Sequence, residues 1–231
     1  MRLKILRQKS PEAESYLEVF DYDGPRDNTI AGVLDYINNS EFIINDKGEK
    51  SSKIMWDCSC MQGVCGACAM VINDEPRLAC ETFLDDIKGS EITIRPLRKF
   101  PVVRDLIVDR SIIHDNLRKN KLFIEEYNPK KAKSKRAVEE NYEHQYSVAK
   151  CLKCGLCLEV CPNYVDGRNY YGAQFANECY LVSSRNQTRE KEIKKTYAQH
   201  FANNCSKSYS CMEVCPVNIP TVSSIGKMNR R

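Results

Sequence analysis

The segment Cys151-Leu152-Lys153-Cys154-Gly155-Leu156-Cys157-Leu158-Glu159-Val160-Cys161-Pro162 spaces four cysteines as C-x2-C-x2-C-x3-C and closes them with proline. Thiolates so close together are soft anionic ligands, and this spacing wraps an iron–sulfur cluster while sending its fourth cysteine to a second cluster. A distant segment must therefore complete the set. It is Cys205-Ser206-Lys207-Ser208-Tyr209-Ser210-Cys211-Met212-Glu213-Val214-Cys215-Pro216. A full second copy would carry cysteine at 205, 208, 211 and 215, but position 208 is serine.

The ligands can be counted from this exchange. One cluster takes Cys151, Cys154 and Cys157 from its own run and Cys215 from the other, the complement of a [4Fe–4S] centre. The other takes Cys205 and Cys211, with Cys161 in exchange. Three thiolates and a non-coordinating fourth corner suit a [3Fe–4S] centre. Weak ligation of a fourth iron by Ser208 is the alternative, and a hydroxyl is a hard ligand for soft chemistry.

An earlier block, Cys60-Met61-Gln62-Gly63-Val64-Cys65-Gly66-Ala67-Cys68 followed by Cys80, reads C-x4-C-x2-C with a distant fourth cysteine. That is the plant-type [2Fe–2S] spacing. Gly63 and Gly66 supply the torsional freedom for a tight wrap, which lets backbone N–H groups reach sulfur and set the potential. A structural zinc site is the alternative; it is usually built from two short CxxC pairs, which the x4 loop fits poorly. Cys58 is a second choice for the first ligand, but it would make the first gap x6. The reading takes Cys60. Eleven of the thirteen cysteines are then placed, leaving Cys58 and Cys179 as packed or free thiols.

Composition agrees with metal. The N-terminus, Met1-Arg2-Leu3-Lys4-Ile5-Leu6, enters a strand-like pattern with no signal-peptide core or transit leader. The chain is thus expected to stay where it is made, in a bacterial cytoplasm, where disulfides are rare. Its 231 residues suit two small domains; 42% are apolar and 29% charged, with mean hydropathy −0.52. No apolar run is long enough to span a bilayer, so membrane contact is expected through a partner. The net charge of +4 is too modest for a nucleic-acid binder. The basic run Lys130-Lys131-Ala132-Lys133-Ser134-Lys135-Arg136 is followed by Glu139, Glu140 and Glu143. It reads as a solvated stretch between domains, with polyanion or lipid-headgroup contact as the alternative.

The organisation is α+β. Strands are expected at 3–8 and 16–22, joined through Ser10-Pro11-Glu12, and at 91–95; a hairpin turns about Asn73-Asp74. A helix over 29–37, capped by Asn28, presents Ile30, Val33, Leu34 and Ile37 on one face. This order is that of a β-grasp, plant-type ferredoxin domain, expected over 1–105. Helical spacing from Val102 to Leu117 (Leu106, Val108, Ile112, Ile113, Leu117) opens a second, all-α, bacterial-ferredoxin-like domain over 106–231. No strand is expected beyond that point. His114, His144 and His200 fit no ligand pattern and are expected at the surface or in packing.

Three motifs in the order [2Fe–2S], [4Fe–4S], [3Fe–4S] resemble the iron–sulfur subunit of the succinate dehydrogenase and fumarate reductase family over essentially the whole chain. Trp56-Asp57, the stretch from Cys65 to Asn73, Phe100-Pro101-Val102-Val103-Arg104-Asp105-Leu106 and Val108-Asp109-Arg110-Ser111 carry the same likeness. The resemblance implies a flavoprotein partner with covalent FAD that interconverts succinate and fumarate. Electrons then pass singly through the three centres to a quinone held by a membrane anchor, and this chain binds no dicarboxylate. Cys161-Pro162-Asn163-Tyr164 and Gly226-Lys227 match family elements near the quinone, so Pro162, Asn163, Tyr164, Lys207 and Lys227 are the implied quinone neighbours.

In the ubiquinone-linked branch a Trp and a His stand where this chain has Asp166 and Ser206. The phrases around Trp56-Asp57 and Ser223-Ser224-Ile225 resemble the menaquinone-linked branch, whose anchor is a dihaem cytochrome b. The resemblance therefore implies menaquinone, haem b on the anchor, and a peripheral position on the cytoplasmic face of the bacterial inner membrane. Two other classes remain. One is the electron module of another flavoenzyme complex, usually with two complete [4Fe–4S] runs. The other is a free-standing multi-cluster ferredoxin or a zinc-stabilised scaffold, although a lone carrier is usually acidic.

Overall fold

The computed structural model describes residues 1–123, 139–185 and 187–230; the basic run at 130–136 lies outside them. The chain divides into two compact units, Met1–Asp109 and Arg110–Arg231.

In the first unit, strands β1 (Arg2–Arg7) and β2 (Tyr16–Asp21) form an antiparallel pair. Helix α1 (Ile30–Asn39) follows, then β3 (Ala69–Ile72), β4 (Glu75–Leu78) and β5 (Glu91–Arg95). The sheet order is β2-β1-β5-β3-β4, with β1 and β5 parallel and the other neighbours antiparallel. This is the expected mixed sheet with one helix. Helix α1 buries Ile30, Ala31, Val33, Leu34 and Ile37. Full burial of one large aliphatic chain contributes about 1.5–3 kcal/mol, against about 1 kcal/mol for a cap, so packing decides that helix. The cap is Thr29, whose Oγ1 accepts from Gly32 N at 3.1 Å, and not Asn28. Asn28 sits one residue too early and turns its Oδ1 to the N–H of Thr29 at 2.8 Å.

The β3–β4 turn uses left-handed Asn73 (φ 48°) and Asp74 (φ 64°), the backbone that a two-residue hairpin needs. Asn73 also ties the turn to β5: its N–H donates to Thr93 O at 2.9 Å and its Oδ1 accepts from Thr93 N at 2.8 Å.

The helix expected from Val102 is corrected. Strands β6 (Val102–Arg104) and β7 (Ile107–Val108) form a small hairpin, and helix α2 runs only over Ser111–Lys119. Asp105 is the cause. It has φ 48°, outside the helical region. Its Oδ1 accepts from Gln8 N at 3.0 Å and its Oδ2 from Met55 N at 2.9 Å, while Leu106 N donates to Met55 O at 3.0 Å. Arg7, 1% exposed on the inner face of β1, donates to Glu18 Oε2 at 2.6 Å. Its Nε faces Asp105 Oδ1 at 3.0 Å; the angle makes that contact an ion pair and no hydrogen bond. Removing one partner of such a buried pair costs about 3–5 kcal/mol.

The second unit is helical, with no strand among its described residues. After α2 come α3 (Glu139–Ala149), the single turn α4 (Leu156–Glu159), α5 (Gly172–Arg185), α6 (Glu190–His200), the single turn α7 (Ser210–Glu213) and α8 (Thr221–Asn229). Helix α5 is buried along nearly its whole length and packs against α3, α4, α6 and α8. A helix covered on all sides is a central one. Cys179 lies on it, 0% exposed: a packed thiol.

Candidate metal centres

The first cysteine loop is built by backbone conformation. Met61 (φ 56°), Gly63 (φ 72°) and Gly66 (φ 75°) are left-handed, and the wrap turns successive N–H groups onto sulfur. Gln62 N reaches Cys60 Sγ at 3.5 Å, Gly63 N reaches Cys80 Sγ at 3.3 Å, and Ala67 N reaches Cys65 Sγ at 3.4 Å. Cys68 and Cys80 are 3.3 Å apart, sulfur to sulfur, and Cys65 is the thiol that acts on Cys60. Cys68 and Cys80 are buried, whereas Cys60 and Cys65 are half-buried.

The electrostatics follow that division. The N–H of Gln62, then the Cys65 thiol, hold the Cys60 thiol down at about 7. Burial pushes Cys68 up to about 12. Cys58, exposed on the approach to the loop, is shifted upward by partial burial and by the carboxylates of Asp35 and Asp57.

The second region contains the same backbone twice. Lys153 and Lys207 have φ 53° and 59°, and Gly155 and Tyr209 have φ 89° and 61°. Each pair occupies equivalent places in the two cysteine runs, just before the single turns α4 and α7. The hydrogen bonds repeat as well. Leu158 N donates to Gly155 O at 2.9 Å as Met212 N does to Tyr209 O at 2.8 Å. Cys161 N donates to Leu158 O, and Cys215 N to Met212 O, both at 3.3 Å. Ser208 thus stands on the backbone that carries Cys154 in the first copy. Only the side chain differs.

One cavity is lined by Cys151, Cys154, Cys157, Cys211 and Cys215, together with Gln174 and Asn177 of α5. Burial pushes Cys154 up to about 11, with the Cys151 and Cys215 thiols adding to the shift. It raises Cys157 well above the ordinary thiol value, reinforced by Cys154, Cys151, Cys211 and Cys215. Around Cys211 the neighbours are different: burial, then Cys161 and Cys205, push it up to about 11. Cys151, Cys154, Cys157 and Cys215 thus influence one another, and Cys211, which lines the same cavity, is influenced by Cys161 and Cys205 and also by Cys215. Thiols crowded this deeply ionise only against a compensating cation, which iron supplies. The Nε2 of Gln174, a residue 3% exposed, has no acceptor in the protein and lines the same cavity. A buried donor with no partner costs about 1–3 kcal/mol, and a cluster sulfide would relieve it. The residues fit the group.

Among the described residues no three His, Cys, Asp or Glu side chains converge at single-ion distance. A cluster holds its thiolates around a multi-atom body, so the ring of sulfurs about this cavity is the relevant geometry.

The other expected site residues are spread out. Pro162, Asn163 and Lys207 are exposed, and Lys227 is half-buried with its ammonium 6.0 Å from the Tyr180 ring centroid. Tyr164 is placed differently. It is 2% exposed and faces inward, where burial, then Asp166 and Cys157, shift its phenol upward. Both His144, edge-on to Tyr180 at 4.5 Å, and His200, stacked on Tyr171 at 4.1 Å, are packing residues. Gln174 and Tyr170, whose hydroxyl lies 3.9 Å from Cys161 Sγ, carry no motif in the sequence. Only folding brings them to the sulfurs.

Residues 2–115 match the family described as a 2Fe-2S iron-sulfur cluster binding domain, and residues 147–219 a 4Fe-4S dicluster domain. The chain is 32% identical to the succinate dehydrogenase iron-sulfur subunit of Bacillus subtilis, over 100% of this chain and 91% of the relative. It is 30% identical to the fumarate reductase iron-sulfur subunit of Haemophilus influenzae, over 98% and 91%. Its fold matches a chain of the Mycobacterium smegmatis Sdh1 complex in the apo form, with TM-score 0.77 and 21% identity over 98% of this chain and 92% of that one. With a loop for a [2Fe–2S] centre in one unit and paired cysteine turns for two further centres in the other, the chain belongs to the family of succinate dehydrogenase and fumarate reductase iron–sulfur subunits.

Proposed function

We propose that this chain carries single electrons between an FAD-bearing flavoprotein, where succinate and fumarate interconvert, and a quinone at a membrane anchor. When bound, the clusters supply one-electron acceptors that split the two-electron flavin step. The protein supplies the thiolates and their surroundings. Cys60 with Cys65, and Cys68 with Cys80, form the two pairs that a [2Fe–2S] centre needs. Cys151, Cys154, Cys157 and Cys215 ring the [4Fe–4S] cavity. Cys161, Cys205 and Cys211 hold a [3Fe–4S] centre, because Ser208 offers no thiolate at the fourth corner.

The observation that carries this reading is the twin backbone of the two cysteine runs, with serine in the place of one ligand. The N–H donors directed at Cys60, Cys65 and Cys80 support Cys60 over Cys58. No helix of the described residues is long and apolar enough to cross a membrane, which accords with a peripheral subunit on the cytoplasmic face of a bacterial inner membrane. An anchor of the cytochrome b type, with haem b and menaquinone, is the partner suggested by Asp166, Ser206 and the phrases around Trp56 and Ser223. Pro162, Asn163, Lys207 and Lys227 are the residues assigned to the quinone side, and Tyr164 holds that turn from within.

The test is to purify the flavoprotein with this chain but without the anchor. The pair should oxidise succinate, or reduce fumarate, with a soluble one-electron dye. It should fail with a menaquinone analogue until the anchor is restored. Full quinone activity without a membrane subunit would overturn the partner assignment, and a chain that works alone as a soluble carrier would favour the free-standing ferredoxin.

A further inference from the structure

Tyr170 precedes α5 and is 8% exposed. Its hydroxyl lies 3.9 Å from Cys161 Sγ, and the Cys205 thiol is among the groups that act on it electrostatically. Water hardly reaches it, so no solvent acceptor competes for the proton.

The end of α6 fixes this position. Tyr171 N donates to His200 O at 3.1 Å, and His200 Nδ1 donates to Asn169 O at 3.1 Å. The Tyr171 ring stacks on His200 at 4.1 Å and 6°, while the Tyr170 ring stacks on Phe201 at 5.5 Å and 20°. Cys205 follows the same helix after one short turn at Ala202–Asn204. The phenol is thus held by the same assembly that leads into Cys205, which is what a directional donor requires. A nearby buried phenol, Tyr197, donates instead to Asn229 Oδ1 at 3.1 Å.

We propose that Tyr170 tunes the three-thiolate centre: its O–H donates to the sulfur of Cys161 once that sulfur is a thiolate, and raises the reduction potential of that centre above what the cysteines alone would set. The proposal rests on the assignment of Cys161, Cys205 and Cys211 made above. One electron enters on reduction, and the phenol keeps its proton. The added negative charge spreads onto the ligand sulfurs and strengthens the bonds they accept, so the donor stabilises the reduced state more than the oxidised one. A higher potential at this end of the unit draws electrons toward it.

The experiment is an EPR-monitored redox titration of the complete complex carrying Tyr170→Phe, with Tyr197→Phe beside it. Phenylalanine keeps the stack on Phe201 and removes only the hydroxyl. At fixed potential, the ratio of reduced to oxidised three-iron centre should fall about tenfold in Tyr170→Phe, which is about 59 mV for one electron. The four-iron centre should not move, and neither should any centre in Tyr197→Phe. Incorporating 3-fluorotyrosine at position 170, a stronger donor of nearly the same size, should shift the potential the other way. An unmoved potential in Tyr170→Phe and the fluorinated protein, or an equal shift in Tyr197→Phe, would overturn the proposal. Absence of a three-iron signal from the unmodified complex would instead overturn the ligand assignment, and the tuning role with it.

Discussion

The two cysteine regions prepare sulfur for iron differently, and the difference is sharpest between Cys60, held by backbone donors, and Cys154, held by burial. Cys68, pushed up by burial, shares the second manner. In the first unit the loop at 58–68 is a backbone device, with left-handed residues aiming N–H groups at half-exposed thiols, and the Cys60 thiol is held down at about 7. In the second unit Cys154 and Cys161 are buried and the other cluster thiols half-buried, and burial pushes Cys154 and Cys211 up to about 11. Hydrogen-bond donors stabilise a thiolate before any metal arrives, whereas burial opposes the thiolate until a cation accompanies it. The first loop therefore rests on a sheet with its own core, and the second region is bound up with the iron it holds.

The largest test of this contrast is iron removal. After anaerobic chelation, amides of the second unit should lose hydrogen-exchange protection along α4, α5 and α7, while those of β1 to β5 stay protected. Equal loss in both units would abolish the distinction.

A local test comes next. Cys60→Ser should eliminate or distort the [2Fe–2S] EPR and visible spectrum, and Cys58→Ser should leave it nearly unchanged. Both variants should retain the centres of the second unit. The reverse result would move the first ligand to Cys58 and an x6 loop.

Ser208→Cys sharpens the comparison inside the second unit, because it restores a thiol on a backbone already shaped for one. The three-iron EPR signal should give way to a four-iron one at lower potential, with slower quinone reduction. A variant that still assembles only the three-iron form would show that the side chain at 208 does not set the iron count.

The smallest effect expected is one of pH. Burial, then Lys227, holds the His144 imidazole below its ordinary value, and its Nε2 meets Ser224 Oγ at 3.1 Å. The unfolded chain then binds more protons at this site than the folded one, so stability rises with pH and its contribution is complete above the unfolded imidazole value of about 6.5. As pH falls through that value the contribution is lost. Thermal melts of the second unit between pH 8 and 5.5 should show a steeper loss in the parent than in His144→Gln. Parallel curves would refute the assignment.

The cysteine chemistry was legible because ligand spacing is a local property. The strands and α1 were legible because alternation and helical periodicity follow directly from burial of one face, as at Leu3 and Ile5 or Val33 and Leu34. The hairpin at 102–108 was not legible. Its apolar residues also fit a helix, and the carboxylate contacts of Asp105 with Gln8 and Met55 exist only in the folded unit. The capping residue was misplaced by one position because Asn28 and Thr29 are both good caps, and sequence alone does not choose between adjacent ones. Tyr170 and Gln174 escaped, and Tyr164, expected beside the quinone, turned out to face inward, for a common reason: aromatic and amide side chains near a cysteine motif carry no sign of whether they turn inward or out.

The left-handed residues shared by the two cysteine runs bear on ancestry. A non-glycine residue in that conformation costs about 1–2 kcal/mol, and the second run carries Tyr209 (φ 61°) where the first has Gly155. Two segments that invented this turn separately would each have had to find it, whereas one segment copied within a chain inherits it along with its hydrogen bonds. The match points to internal duplication. On that history the two copies keep one backbone and part at the ligand position, where the first has Cys154 and the second Ser208.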